Sequence, residues 1–239
     1  MRILKEFFSA LSFFTVLPLP GKYFPPSLSF FPWVGLVIGG ALYISHLLFS
    51  PFPPAIEALL LLWVSVWFTG GLHWEGLTDT FDAILSRKDK ESSLKIMKDP
   101  STGVMGVIAL ITFLSLKFLG FYTLITVSPL SLLSVPLLSR LGMILIVYTN
   151  TPARKEGLGY LFWKAKREVI YPLLSLIPLF LILKFKIFPV LAFTILFYYL
   201  IGKYFQKKWG GFTGDTLGMS IESGEIFLLF LLARIGKGW

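Results

Sequence analysis

Three carboxylates, Glu75, Asp79 and Asp82, stand at spacings i, i+4 and i+7 within residues 69–106, TGGLHWEGLTDTFDAILSRKDKESSLKIMKDPSTGVMG. On a helix turning about 100° per residue they share an arc of about 60° and about 10 Å of axis. Such a stripe repels itself, and no Lys or Arg lies three or four positions from Asp79 to relieve it. A bound divalent cation would, and an all-oxygen ligand set suits Mg²⁺ or Mn²⁺. Charge runs on helices are more often solvated faces. Here the stripe directly follows an apolar segment of membrane length, where uncompensated acids are costly and mark function.

Other candidates surround the stripe. Lys98, Asp99 and Ser101 belong to a KDPSTG run that leads into a helix start, where a hydroxyl cap and free backbone N–H groups can meet an anion; capping alone would also account for the hydroxyls. The run GGFTGDTLG at 210–218 is glycine-rich and holds Thr213, Gly214 and Asp215. Such loops let backbone amides approach phosphates, although this one has no P-loop lysine and an ordinary turn explains it equally well. Arg140 sits inside an apolar segment, so it must face a polar partner, either a phosphate or a buried carboxylate. His73 precedes the stripe and could carry a proton, bind a metal or fill an interfacial position; Lys117 is expected to snorkel to the membrane surface.

The elements that must position these residues follow from composition. The chain has 239 residues, 55% hydrophobic, 17% aromatic and only 15% charged, with a mean hydropathy of +0.77. A soluble domain carries roughly 25% charge, so the class is all-α: a polytopic integral membrane helical bundle. Hydropathy predicts about seven spans, at 30–50, 55–72, 103–127, 129–149, 169–183, 188–205 and a short last one at 225–235, after an N-terminal interfacial helix within 1–20. One domain covers 1–239, without internal repeats. Cysteine is absent, which excludes thiolate metal sites and cysteine nucleophiles. The formal charge of +9 does not indicate nucleic acid, because 16 of the 22 Lys and Arg fall in the N-terminal segment and alternate loops. That asymmetry puts the N-terminus in the cytoplasm and gathers every polar loop on one face, where a single site can form. The oligomeric state stays open, a homo-oligomer included.

The motifs GGLHWEGLTDTFDAI, IMKDPSTGVMG and GGFTGDTLG, together with SFFTVLPLP, FPWVGLVIGG and EGLG at 156–159, resemble those of the adenosylcobinamide-GDP ribazoletransferases, also called cobalamin-5′-phosphate synthases. The family's pattern runs approximately GGxHLDGLADTxDG, IMxDSRxGxxG and GGxTGDxLGA, and the resemblance extends over essentially the whole chain. It implies an enzyme of the prokaryotic cytoplasmic (inner) membrane, embedded in the lipid bilayer. The enzyme would join α-ribazole, or its 5′-phosphate, to adenosylcobinamide-GDP with release of GMP and with Mg²⁺ as cofactor. The ribose 3′-hydroxyl would attack the phosphorus that stays with cobinamide. Carried onto this sequence, the resemblance implies Glu75, Asp79, Asp82 and Asp215 as metal ligands and Asp82 with His73 for proton transfer. Lys98, Asp99, Ser101, Arg140, Thr213 and Gly214 would contact substrate. Glu75 stands where the family has Asp, Ala83 where it has Gly, and Ser101 where it has Arg; Lys98 or a loop arginine such as Arg154 is expected to substitute for that missing cation. Two other readings compete: a CDP-alcohol phosphotransferase, whose longer aspartate pattern is missing here, and an ion-coupled transporter, whose acids would lie near the bilayer midplane.

Overall fold

The computed structural model describes residues 2–19, 24–165 and 170–237. Met1, Pro20 and Val169, which bound expected elements, lie outside the described residues, as do Lys22, Lys166 and Arg167 of the loop count. Among the described residues no β-strand forms; one isolated bridge pairs Pro152 with Phe212.

Helix α1 (Arg2–Phe14) is amphipathic, with Ala10, Leu11 and Phe14 buried and Ile3 and Leu4 exposed. Helix α2 (Phe31–Phe49) packs on α7 (Ser134–Thr149) through Gly35 and Gly39, where a Cβ would come within 3 Å of the backbone around Pro136 and Leu133. Small residues at four-residue spacing let membrane helices approach this closely. Helix α3 (Pro54–Phe68) is followed by α4 (Leu72–Leu85) after a bend of 91°. Gly70 and Gly71 make the bend at φ +62° and +69°, a region that costs glycine little and other residues more. A short α5 (Lys90–Ile96), capped by Asp89, leads to α6 (Val104–Ile125). After α7 come α8 (Gly157–Lys164), α9 (Ile170–Leu174), α10 (Leu176–Leu183), α11 (Ile187–Trp209) and α12 (Gly214–Gly236).

Five helical stretches among the described residues are long and apolar enough to cross a membrane: 28–49, 104–125, 129–149, 170–209 and 214–236. The pair α3 and α4 makes a sixth candidate only as a broken span. The count of about seven divides these differently. The stretch 170–209 holds 40 residues, about 60 Å of helix and twice the hydrocarbon thickness, and so contains both spans expected there. Lys184, at φ +52°, interrupts it, and Lys184–Lys186 form a single 3₁₀ turn before α11.

The larger departure is at the C-terminus. The sequence predicts a glycine-rich loop over 206–224 and a short span from 225; the chain instead forms one 23-residue helix, α12, starting at Gly214. Asp215, Glu222 and Glu225 depress its hydropathy, but the two glutamates are buried and paired with cations. Helix α12 packs against α4, α6 and α7 and forms the axis of the bundle.

Candidate active site

Helix α4 does present Glu75, Asp79 and Asp82 along one side, and the N-terminus of α12 lies against it. That approach depends on Gly76, where a Cβ would stand 2.7 Å from the carbonyl oxygen of Asp215. Asp215 is thereby brought to the stripe. Glu75 is exposed and Asp79 half-buried, and the charges of Asp215, Glu75 and Asp82 all act on Asp79. No cation answers Glu75 or Asp79 among the described ion pairs; Asp215 has one, Arg154, whose Nη2 donates to Oδ2 over 3.3 Å.

Asp82 is engaged differently. Its two oxygens accept hydrogen bonds from the backbone N–H groups of Gly103 and Gly106, 2.7 Å each, at the start of α6. Gly103 has no side chain to cap this helix, so a carboxylate from 21 residues upstream does so. The stripe is thus divided. Glu75 and Asp215 line one cavity with His73, while Asp82 faces a separate, shallower one with Asp99 and Ser101.

The surrounding loops meet at this end of the bundle. Residues Thr151 and Ala153 exchange backbone hydrogen bonds with Phe212, 3.1 and 2.8 Å. Lys98 pairs with Glu156 and holds its exposed carboxyl below the usual range. Asp99 accepts from the amide and hydroxyl of Ser101, 2.9 and 2.5 Å, and these bonds likewise lower its carboxyl. Thr213 caps α12 reciprocally with Thr216 and donates to Asp215 over 3.2 Å. Gly214 packs on Leu158, and Gly159 on the backbone of Thr213, so EGLG and GGFTGD are fitted to each other as scaffold. Arg154 retains a buried Nη1 without a hydrogen-bond partner.

Comparison with known proteins matches residues 6–233 to the family described as cobalamin-5-phosphate synthase. The chain belongs to that family. It is 37% identical to an adenosylcobinamide-GDP ribazoletransferase of Acinetobacter baumannii, over 94% of this chain and 95% of the relative. A relative of the same name from Desulfitobacterium hafniense is 36% identical, over 97% of both. Another, from Caldanaerobacter subterraneus subsp. tengcongensis, is 37% identical over 95% of this chain and 96% of its own. No solved structure matches. Membership in this synthase family makes the chain an enzyme and a transferase, and it displaces the lipid-phosphotransferase and transporter readings.

As placed here, no three His, Asp or Glu side chains among the described residues stand close enough to enclose an ion. A Mg²⁺ held by one or two carboxylates plus substrate phosphates and water needs no such cluster. Glu75, Asp79 and Asp215 are oxygen donors of the kind that ion takes, on adjoining helices, with Arg154 the one cation paired to them among the described residues.

Arg140, expected as a phosphate contact, is turned elsewhere in this synthase-family bundle. It is fully buried, and its Nη1 donates to Glu225, to Ser139 Oγ at 3.0 Å and to the Pro136 carbonyl at 3.2 Å. Lys117 does not snorkel. It is 1% exposed and bridges Glu222 Oε2 at 2.6 Å and Glu225 Oε2 at 2.7 Å. His73, also buried, stands with Nδ1 3.4 Å from Glu222 Oε1, and neither ring nitrogen completes a hydrogen bond. Sequence reasoning missed Glu222 and Glu225. Two lone cations inside apolar segments, together with two glutamates three residues apart in a third, were the available signal.

Proposed function

We propose that the chain transfers the cobinamide-bearing phosphate of adenosylcobinamide-GDP to a ribose hydroxyl of α-ribazole, or of α-ribazole 5′-phosphate, and releases GMP. The observation that carries this reading is the close approach of the start of α12, with Asp215, to α4 at Gly76, beside Glu75 and Asp79, with Arg154 the one cation paired to these acids among the described residues. A pyrophosphate substrate supplies the missing positive partner only if a divalent cation comes with it. One or two of Glu75, Asp79 and Asp215 would hold Mg²⁺ together with the substrate's own phosphates, and the ion would supply charge to polarise the phosphate oxygens and neutralise the departing GMP.

The chain's own groups account for the remaining steps. Arg154 keeps Asp215 oriented with one arm and has a second, unpartnered nitrogen suited to a phosphate oxygen. Gly214, at the start of α12, lines the same cavity, and Lys98, paired with Glu156 in the neighbouring loop, would help draw in the diphosphate. For the proton of the attacking hydroxyl, His73 is better placed than Asp82, whose oxygens are both taken by amides. The Glu222 carboxylate, 3.4 Å from Nδ1, would draw the ring proton to that nitrogen by its charge and leave Nε2 as the acceptor. The enzyme would lie in the cytoplasmic membrane of a prokaryote with its loops and N-terminus inside, as the Lys and Arg distribution supports.

Purified chain in detergent, given Mg²⁺, adenosylcobinamide-GDP and α-ribazole, is expected to release GMP. Folded protein that releases none above an EDTA control would remove the assignment.

A further inference from the structure

Beside the carboxylates lies a cavity of about 170 Å³. Helices α1, α4, α7, α8 and α12 enclose it, and Phe13, Phe14, Phe162, Met143, Leu217 and Ile221 form its apolar wall. The rings are held rigidly. Phe13 and Phe162 meet edge to face at 6.0 Å between centroids, and Phe14 packs on Phe31 at 4.5 Å. Helix α1 is fastened in place where the Val16 amide donates to the Phe68 carbonyl over 3.0 Å. At the polar edge stand Glu75, Asp215 and His73, the last 3% exposed and with Nε2 unpartnered.

An apolar cavity of about 150 Å³ stays dry and admits a benzene-sized guest. This one is somewhat larger, and its lining joins that apolar wall to the polar groups of Glu75, Asp215 and His73. An occupant must therefore carry a flat apolar group at one end and a polar, reacting group at the other. We infer that the cavity takes the aromatic base of the acceptor nucleoside, with its ribose at the polar edge against His73 and Glu75; the inference rests on the function proposed above. Of the two substrates, the acceptor suits the apolar wall better. Guanine's several hydrogen-bonding groups could meet only Glu75, Asp215 and His73, and each one turned to the apolar wall would cost roughly 1–3 kcal/mol. A benzimidazole presents a single free ring nitrogen and two apolar faces, and edge and face contacts with phenylalanine suit it. The N-terminal helix, through Phe13 and Phe14, thereby becomes part of the specificity site.

The test uses the full chain in detergent with free benzimidazole as the probe. Benzimidazole should inhibit GMP release competitively against α-ribazole and not against adenosylcobinamide-GDP. Ile221→Phe, which fills the cavity, should raise KM for α-ribazole by about tenfold or more and leave KM for adenosylcobinamide-GDP unchanged; thermal unfolding checks that the variant is folded. Competition against adenosylcobinamide-GDP instead, or no competition at all, overturns the inference while normal GMP release keeps the function. Should the chain release no GMP, direct binding decides: saturation-transfer NMR contact to benzimidazole that Ile221→Phe abolishes supports the cavity, and absence of contact refutes it.

Discussion

Two groups of charges lie within one bundle and are treated in opposite ways. In the core, Lys117 and Arg140 meet Glu222 and Glu225, two cations against two carboxylates, all buried and mutually bonded. At the loop end, Asp215 pairs with Arg154, no described cation pairs with Glu75 or Asp79, and Glu75 and Asp215 border a cavity. Neutralised charge joins α6, α7 and α12 into one unit. Uncompensated charge beside a cavity is a demand for a ligand. His73 touches both groups, with Nδ1 toward the core and its ring on the cavity.

The comparison breaks most readily in the core. Lys117→Met leaves two glutamates with Arg140 alone and should cost about 3–5 kcal/mol, read as a lower unfolding midpoint in detergent. Lys117→Met with Glu222→Met should recover much of it, because an apolar pair needs no desolvated charge. Unchanged stability in the single variant would show that the network does not hold the helices.

At the loop end the signs reverse. Asp79→Asn removes repulsion, so stability should hold or rise while GMP release falls by at least about 100-fold. A variant that keeps its rate would dissolve the distinction drawn here. Asp82 stands between the two groups in character. Its substitution by Ala should cost about 1–2 kcal/mol through the lost cap on α6, with a smaller loss of rate per folded molecule than in Asp79→Asn. The smallest effect is expected at the exposed Lys98–Glu156 pair. Lys98 holds the Glu156 carboxyl low, so its contribution is present above the ordinary carboxylate range and fades as the pH falls through the lowered value. Glu156→Gln should leave the unfolding midpoint at neutral pH unchanged within error, and any difference should vanish in high salt.

Much of the site was legible. The i, i+4, i+7 spacing located the stripe on α4 because helical geometry is local, and the side-by-side count of Lys and Arg predicted that the polar loops would meet. Phe212 and Ala153, Asp215 and Arg154, Lys98 and Glu156 do meet. What spacing could not show was which way each acid turns. Asp82 looks equivalent to Asp79 on the helix, yet its partners are two backbone amides of α6, and backbone amides carry no residue-specific signal. Arg140 posed a question with two answers, and its partner lies 85 residues away. Helix α12 was cut short because hydropathy scores Glu222 and Glu225 as though they faced water.

Composition, periodicity and motif spacing determined the all-α membrane class, the family and the acidic helix, since each depends on residues near one another in the chain. Only the packed bundle decided which charges cancel and which stay available, because that depends on the few ångströms separating side chains from different helices. The same packing placed α1 as a wall of the cavity beside the carboxylates, a role that nothing within its own thirteen residues specifies.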